Sequence, residues 1–278
     1  MSRRIGFVDF DLDNFHADVY LKLLRSDLQS RGFTVVGATA LQAEPSRAWC
    51  ASNEVPYYDD VDALDAHVDA YAVLAPSNPE VHEALCQRVF PHGKPTYVDK
   101  TFAPDLSTAK RIFALADQHG VAMQTSSALR YSNVQERLAQ LEGDLLHIVT
   151  WGGGSSFGEY AIHPLELAIS CMGPDALRLY RRGAGECAQL LLDFSGDRSA
   201  VVNVYTNTST PFAAALTTTA GTEYIAVDSS AIFRNTAAAM LDLFERGSAT
   251  VDRRETLAIH SALDAAKTDA ARAGFGDL

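Results

Sequence analysis

A chain of 278 residues, 47% hydrophobic and 21% charged, can bury a sizeable core in about two domains without disulfide staples. Its 23 Lys and Arg stand against 35 Asp and Glu, and a net charge of −12 argues against nucleic acid or an anionic membrane as the main partner. No apolar run reaches the roughly 18 residues of a membrane-spanning helix, and Met1-Ser2-Arg3-Arg4 leads into a strand-like stretch with no signal-peptide core. Cys50, Cys86, Cys171 and Cys187 match no metal or redox spacing, so the expectation is a cytoplasmic protein with reduced thiols.

The first half alternates strand and helix. Ile5 to Phe10 reads as a buried strand, and His16 to Gln29 as a helix with Ala17, Tyr20, Leu21, Leu24 and Leu28 on one face and Gly32 as its stop. Strands follow at Phe33 to Ala38, Ala70 to Ala75, Thr96 to Val98 and Val121 to Gln124. Between them lie a short helix at Pro45 to Ala51, a helix at Pro79 to Phe90, and a stripe of Leu106, Ala109, Ile112, Phe113 and Ala116 closed by Gly120. This alternation predicts βαβ units and a parallel sheet with helices on both faces. Its ligand crevice then lies beyond the carboxyl ends of the strands. Asp9 to Phe15, Thr39 to Leu41, Pro76 to Asn78 and Asp99 to Phe102 point there.

Past about Ala122 the pattern changes. A helix at Asn133 to Leu141 leads to strands at Leu145 to Trp151, Leu177 to Arg182, Cys187 to Phe194, Ala200 to Thr206, Ala213 to Thr219 and Glu223 to Asp228. Helices are expected at Pro164 to Cys171, Thr236 to Arg246 and Glu255 to Ala273. Short turns between most strands favour antiparallel pairing. The fold class is therefore α/β: a Rossmann-like parallel sheet over 1–122, then an α+β domain with a mixed, largely antiparallel sheet over 123–278. The second domain is the expected seat of substrate binding and oligomerisation, and the closing helix is free to pack back on the first domain.

Four segments carry candidate chemistry. In Asp9-Phe10-Asp11-Leu12-Asp13-Asn14-Phe15-His16, the three glycines of a dinucleotide-binding turn read Asp9, Asp11 and Asn14. A β-carbon obstructs the backbone's approach to a diphosphate, and a carboxylate repels it by about 1–4 kcal/mol at about 4 Å, depending on the local dielectric. Three alternatives stand: Asp11 or Asp13 caps the helix, the loop holds a cofactor in an altered pose, or the aspartates collect a divalent cation. In Ala75-Pro76-Ser77-Asn78-Pro79, Ser77 or Asn78 caps a helix that Pro79 begins, or these small polar residues donate into the crevice. Lys100, directly after a buried strand and beside Asp99, is placed to bond a substrate hydroxyl, or else is a solvated surface lysine.

In Glu159-Tyr160-Ala161-Ile162-His163-Pro164-Leu165-Glu166, a continuous helix puts Glu159 and His163 on one face, giving a general base with a carboxylate to orient it. Pro164 favours a helix that starts at or just before it, which leaves a capping histidine and solvated glutamates as the alternative. Gly152-Gly153-Gly154 lacks the lysine and spacing of a phosphate loop and reads as a flexible connection.

These segments together resemble the glucose-fructose oxidoreductase / inositol dehydrogenase / rhizopine catabolism (Gfo/Idh/MocA) family over nearly the whole chain. Val73 to Ala103 is similar to its A-x-P-x-x-x-H turn followed by G-K-x-V-x-x-E-K-P, the latter reading Gly93-Lys94-Pro95-Thr96-Tyr97-Val98-Asp99-Lys100-Thr101. Ala128-Leu129-Arg130-Tyr131 resembles the entry into the second domain, Glu159 to Glu166 the D-x-x-x-H-x-x-D segment, and Glu255 to Gly274 the closing helix. The resemblance implies an NAD(P)-dependent oxidoreductase acting on a sugar, cyclitol or similar hydroxyl or keto compound. It makes Lys100 the substrate-hydroxyl contact, His163 the acid/base, Glu159 its acidic companion, and Arg130 and Tyr160 further substrate contacts. NAD or NADP would be held by Phe10, Asp11, Asn14, Phe15, Ala75, Pro76, Ser77, Asn78, His82, Asp99 and Lys100, with no metal. The partners implied are a small-molecule substrate and further copies of the chain in a homo-oligomer, with no nucleic acid and no membrane.

This sequence departs from the pattern in the lost glycines, a missing acidic residue near Thr39, Thr101 for proline, and Glu159 for aspartate. The alternative is a family member without nicotinamide chemistry: a cofactor-free acid/base enzyme reusing Lys100, Glu159 and His163, or a non-catalytic ligand-binding protein.

Overall fold

The computed structural model describes residues 3–183 and 185–278; Met1 and Ser2, whose lead into the first strand the sequence suggests, lie outside the described residues with Ala184. The chain divides into two units. One runs up to Ser126 and adds Phe233–Val251; the other is Ser127–Ile232 with Asp252–Leu278.

In the first unit β1 (Arg3–Asp9) is buried from Ile5 to Asp9. Such a two-sided strand suits the middle of a parallel sheet covered on both faces. Next come α1 (Phe15–Arg25), β2 (Phe33–Ala40), α2 (Ala43–Ser52), α3 (Val61–Asp65), β3 (Ala70–Val73), α4 (His82–Val89), β4 (Thr96–Val98), α5 (Leu106–Gln118) and β5 (Met123–Thr125). The five strands pair in parallel in the order β2-β1-β3-β4-β5. The order reverses at β1, so the crevice of this sheet opens beyond the ends of β1 and β3, at Asp9 and Ala75.

Helix α1 buries Ala17, Tyr20, Leu21 and Leu24. It stops at Arg25, and a 3₁₀ turn Gln29–Arg31 ends on Gly32, whose φ of 74° the absent side chain permits. α3, which the sequence analysis does not anticipate, is nucleated by Asp60, whose carboxylate accepts from the Ala63 amide. The unit is completed from the far end of the chain, where Phe233, Ala237, Met240, Leu241, Leu243 and Phe244 join the core of Tyr20, Phe33 and Tyr97. Arg31 bonds Asp242 and Glu245 there.

The second unit holds a 3₁₀ turn at Ala128–Tyr131, α6 (Asn133–Leu138), β6 (Leu145–Gly153), α7 (Phe157–Tyr160), α8 (Ile162–Met172), β7 (Ala176–Arg182), β8 (Cys187–Phe194), β9 (Arg198–Tyr205), β10 (Ala213–Thr218) and β11 (Gly221–Ala226). Helix α9 (Ile232–Arg246) leaves it for the first unit, and α10 (Arg253–Ala265), α11 (Asp269–Ala273) and β12 (Gly276–Asp277) return. Among the described residues its strands form one mixed sheet in the order β11-β10-β6-β9-β8-β7-β12.

β6 and β9 run parallel, and every other pairing in this sheet is antiparallel. One face, with Ile148, Leu190, Leu192, Val202, Val204, Ala214 and Leu216, is fully buried. α8 packs on β6 and β9. Val149, Trp151, Leu191, Val201 and Ala215 on the other face are only half-buried. The single closing helix expected over Glu255 to Ala273 is two, because Thr268 caps a new start by accepting from the Ala271 amide.

Candidate functional site

The turn after β1 is built around a buried carboxyl. Asp9 is fully buried, and its Oδ1 accepts from the amides of Phe10 at 2.7 Å and Ala75 at 2.8 Å. Its Oδ2 accepts from Asn14 Nδ2 at 2.9 Å. Burial pushes the Asp9 carboxyl up to about 7, against the pull of these donors and the Asp11 amide. Ala75 reaches Asp9 with a φ of 45°, a left-handed conformation uncommon for alanine.

The other amides of the turn are also taken. Leu12 N donates to Ser46 Oγ at 3.1 Å, Asp13 N to Asp11 Oδ1 at 3.0 Å, and Asn14 N to Leu12 O at 2.8 Å. The cap of α1 is Asn14, not Asp11 or Asp13. Its Oδ1 accepts from the amides of His16 and Ala17, and at this site an amide side chain can accept from the helix while donating to Asp9. Phe15 is 62% exposed and stacks edge-on against Phe233. Among the described residues no group of three or more His, Cys, Asp or Glu could hold a metal ion.

The rest of this edge is equally committed. Asp99, fully buried, accepts from the Lys100 amide at 2.9 Å and lies 2.5 Å from His16 Nδ1. His82 bridges Leu74 O and Phe102 O with its two ring nitrogens. Ala75 and Pro76 are buried, while Ser77 is exposed. Asn78 occupies the cap position before Pro79 without a side-chain bond to the backbone, and donates instead to Glu80. Lys100 is half-buried, and its ammonium donates to Pro76 O at 3.3 Å.

A dinucleotide needs unoccupied backbone donors around its diphosphate, normally at a glycine-rich turn and helix N-terminus. Here the protein's own side chains accept from those donors, and the turn carries three carboxyls. The residues present do not fit a dinucleotide diphosphate in that place.

In the second unit two successive helices carry Glu159 and His163. α7 ends at Tyr160 and α8 begins at Ile162, with Ala161 between them in a right-handed helical conformation and Pro164 in the first turn of α8. Glu159 is exposed and accepts from Ser155 Oγ at 2.6 Å and Ser156 Oγ at 3.3 Å. His163 is held elsewhere. Its Nδ1 lies 2.9 Å from Ser127 Oγ, and its ring sits 5.7 Å from that of Tyr160 and 5.8 Å from Phe212. The triple glycine serves packing: a Cβ at Gly153 would come within 2.0 Å of Tyr205 O, and one at Gly154 within 2.2 Å of the Tyr160 ring.

Behind His163 lies a buried ionic chain. The Ser127 amide donates to Glu166 Oε2 at 2.8 Å; Arg130 Nε donates to Glu166 Oε1 at 2.9 Å and its Nη1 to Glu255 Oε2 at 2.5 Å. Burial pushes the Glu166 carboxyl up, against the opposing charge of Arg130. Burial pulls the guanidinium down, but Glu166 and Glu255 together hold it above its ordinary value. Arg130, expected at the substrate, is thus engaged by two carboxylates. Ser127 and Glu255 in this chain, and His16 in the first unit, are not singled out by the sequence, and Asp9 stands there only as a lost glycine or a cation ligand. The available signal was the polar pair Ser126-Ser127 after β5, a place where a parallel sheet exposes its ligand-binding edge.

Comparison with known proteins bears on both units. Three solved structures illustrate the likeness. A putative NADPH-dependent oxidoreductase from Desulfitobacterium hafniense has a TM-score of 0.83 at 13% identity, covering 100% of this chain and 98% of that one. An oxidoreductase from Agrobacterium radiobacter in complex with NAD+, L-tartaric acid and magnesium has a TM-score of 0.81 at 14% identity, covering 100% and 98%. The myo-inositol 2-dehydrogenase of Lactobacillus plantarum has a TM-score of 0.82 at 13% identity, covering 100% of both chains. At such identities the likeness is one of fold. No curated protein matches. Residues 15–127 match the Gfo/Idh/MocA family model, described as "Oxidoreductase family, NAD-binding Rossmann fold".

Proposed function

We propose that the protein is an enzyme acting on a small hydroxyl or keto compound of the sugar or cyclitol kind, with His163 as its acid/base. The observation that carries this reading is the 2.9 Å contact between His163 Nδ1 and Ser127 Oγ, backed by Glu166 on the Ser127 amide. A hydroxyl bonded to one ring nitrogen fixes the orientation of the imidazole ring. The buried Arg130 between Glu166 and Glu255 keeps Ser127 in place. The imidazole then takes a proton from a substrate hydroxyl, or from the carbon next to a carbonyl, and returns it.

The family-model match over residues 15–127 favours a second reading, hydride transfer with NAD or NADP. The occupied turn after β1 speaks against it, so the proton chemistry of His163 is the reading preferred. For the half-buried sheet face of the second unit, with Val149, Trp151, Leu191 and Val201, we propose a second copy of the chain as cover.

The test incubates the protein in D2O with sugars, cyclitols and their keto forms, without nicotinamide, and follows deuterium incorporation and new products by NMR. Exchange or product formation is expected, and His163→Ala lowers it about 10²–10⁴-fold. Turnover that requires NAD or NADP would replace this reading with hydride transfer. Ligand-induced stabilisation without any turnover would make the protein a binding protein.

A further inference from the structure

We infer that the Asp9 carboxyl occupies, with the protein's own oxygens, the place that a bound dinucleotide's diphosphate takes in this fold, so that the chain binds neither NAD nor NADP there. A diphosphate in a Rossmann turn is held because backbone amides at the end of the first strand and the start of the next helix point at one spot with nothing else to accept from them. In this chain the spot has an internal acceptor. Asp9 Oδ1 takes the amides of Phe10 and Ala75, from the ends of β1 and β3, the two strands that flank the crevice. Asp9 Oδ2 takes the side-chain amide of Asn14.

The helix end is filled in the same way. Asn14 Oδ1 accepts from His16 at 2.9 Å and Ala17 at 3.1 Å, so those donors of α1 are satisfied without a ligand. Ser46 on α2 reaches across to the Leu12 amide and Asp11 to the Asp13 amide. Three substitutions at the glycine positions therefore act as one device: Asp9 supplies the acceptor, Asn14 links it to the helix, and Asp11 closes the loop between them. A dinucleotide would have to break these bonds, displace a buried carboxyl and bring its own negative charge beside Asp11 and Asp13.

The test titrates the wild-type protein with NAD+, NADH, NADP+ and NADPH at about 1 mM each, by calorimetry and thermal shift. That is about a hundredfold above a dissociation constant of about 10 µM, where a specific ligand gives a clear shift. No saturable heat and an unchanged Tm with all four are expected. Saturable binding of any of them overturns the inference. A companion experiment uses Asp9→Gly with inorganic pyrophosphate as the probe. The variant is expected to bind pyrophosphate while the wild-type protein does not, and equal binding by both overturns the inference. If Asp9→Gly does not fold, the wild-type titrations decide. These readouts involve no turnover, so they are independent of the proposed role of His163.

Discussion

Ser127 holds His163 through its hydroxyl, with Oγ and Nδ1 2.9 Å apart, while its own amide is held by the buried Glu166. The hydroxyl touches the imidazole and not the reacting atoms, which makes Ser127 a positioning residue. Ser127→Ala is expected to lower kcat about tenfold with KM nearly unchanged, the usual scale for an outer-shell partner. The same variant is expected to move the pH–rate profile, which a purely structural role would leave in place. Steady-state kinetics across pH checks both.

Glu166 and Glu159 separate in the same assay. Glu166 is buried against Ser127 and Arg130, whereas Glu159 is exposed and bonded to Ser155 and Ser156. Glu166→Gln is expected to reduce turnover at least about tenfold, and Glu159→Gln only a few-fold. The reverse order would return Glu159 to the role that the family resemblance implies.

Arg130 carries a stability prediction. Replacing it with methionine leaves a buried Glu166 and a mostly buried Glu255 without their shared cation. Removing one member of a buried ionic group costs about 3–5 kcal/mol. Arg130→Met is expected to lose that much in urea denaturation. The double variant Arg130→Met/Glu166→Gln is expected to recover part of it, because one stranded charge is gone.

Asp9 gives a pH signature. Burial raises its carboxyl from 3.8 to about 7, so the native state binds this proton more tightly than the unfolded chain. The resulting stabilisation is full below about pH 4 and disappears as pH rises through about 7, a change on the order of 4 kcal/mol. Asp9→Ala leaves buried amides without an acceptor at every pH, so its cost is constant. The difference in unfolding free energy between wild type and Asp9→Ala is expected to shrink between pH 4 and 8; a difference independent of pH would contradict it.

The alternation of apolar runs and helical stripes made the first sheet legible, because period and punctuation are local properties. Asn14 was harder to read. Any of Asp11, Asp13 and Asn14 can cap a helix, and the choice depends on Asp9 accepting from the Asn14 amide across five residues. The motif around His163 was visible, but not its setting. The segment forms two successive helices, and the partners that orient the histidine sit at Ser127 and, through Arg130, at Glu255. Such partners meet only after folding. The parallel pairing of β6 with β9 was equally hidden, since turn lengths report on neighbours in sequence and not on strands brought together by the sheet.

Neither unit is one continuous stretch of chain. The first waits for Asp242 and Glu245 to meet Arg31 and for Thr250 to meet Gln124, and the second waits for Glu255 to meet Arg130. During synthesis residues 233–251 must therefore leave the ribosome before the first unit can be completed, and residues from Asp252 onward before the second can be. Nascent fragments ending near residue 230 should be sensitive to protease and retained by chaperones, with both halves gaining protection together once the last helices emerge.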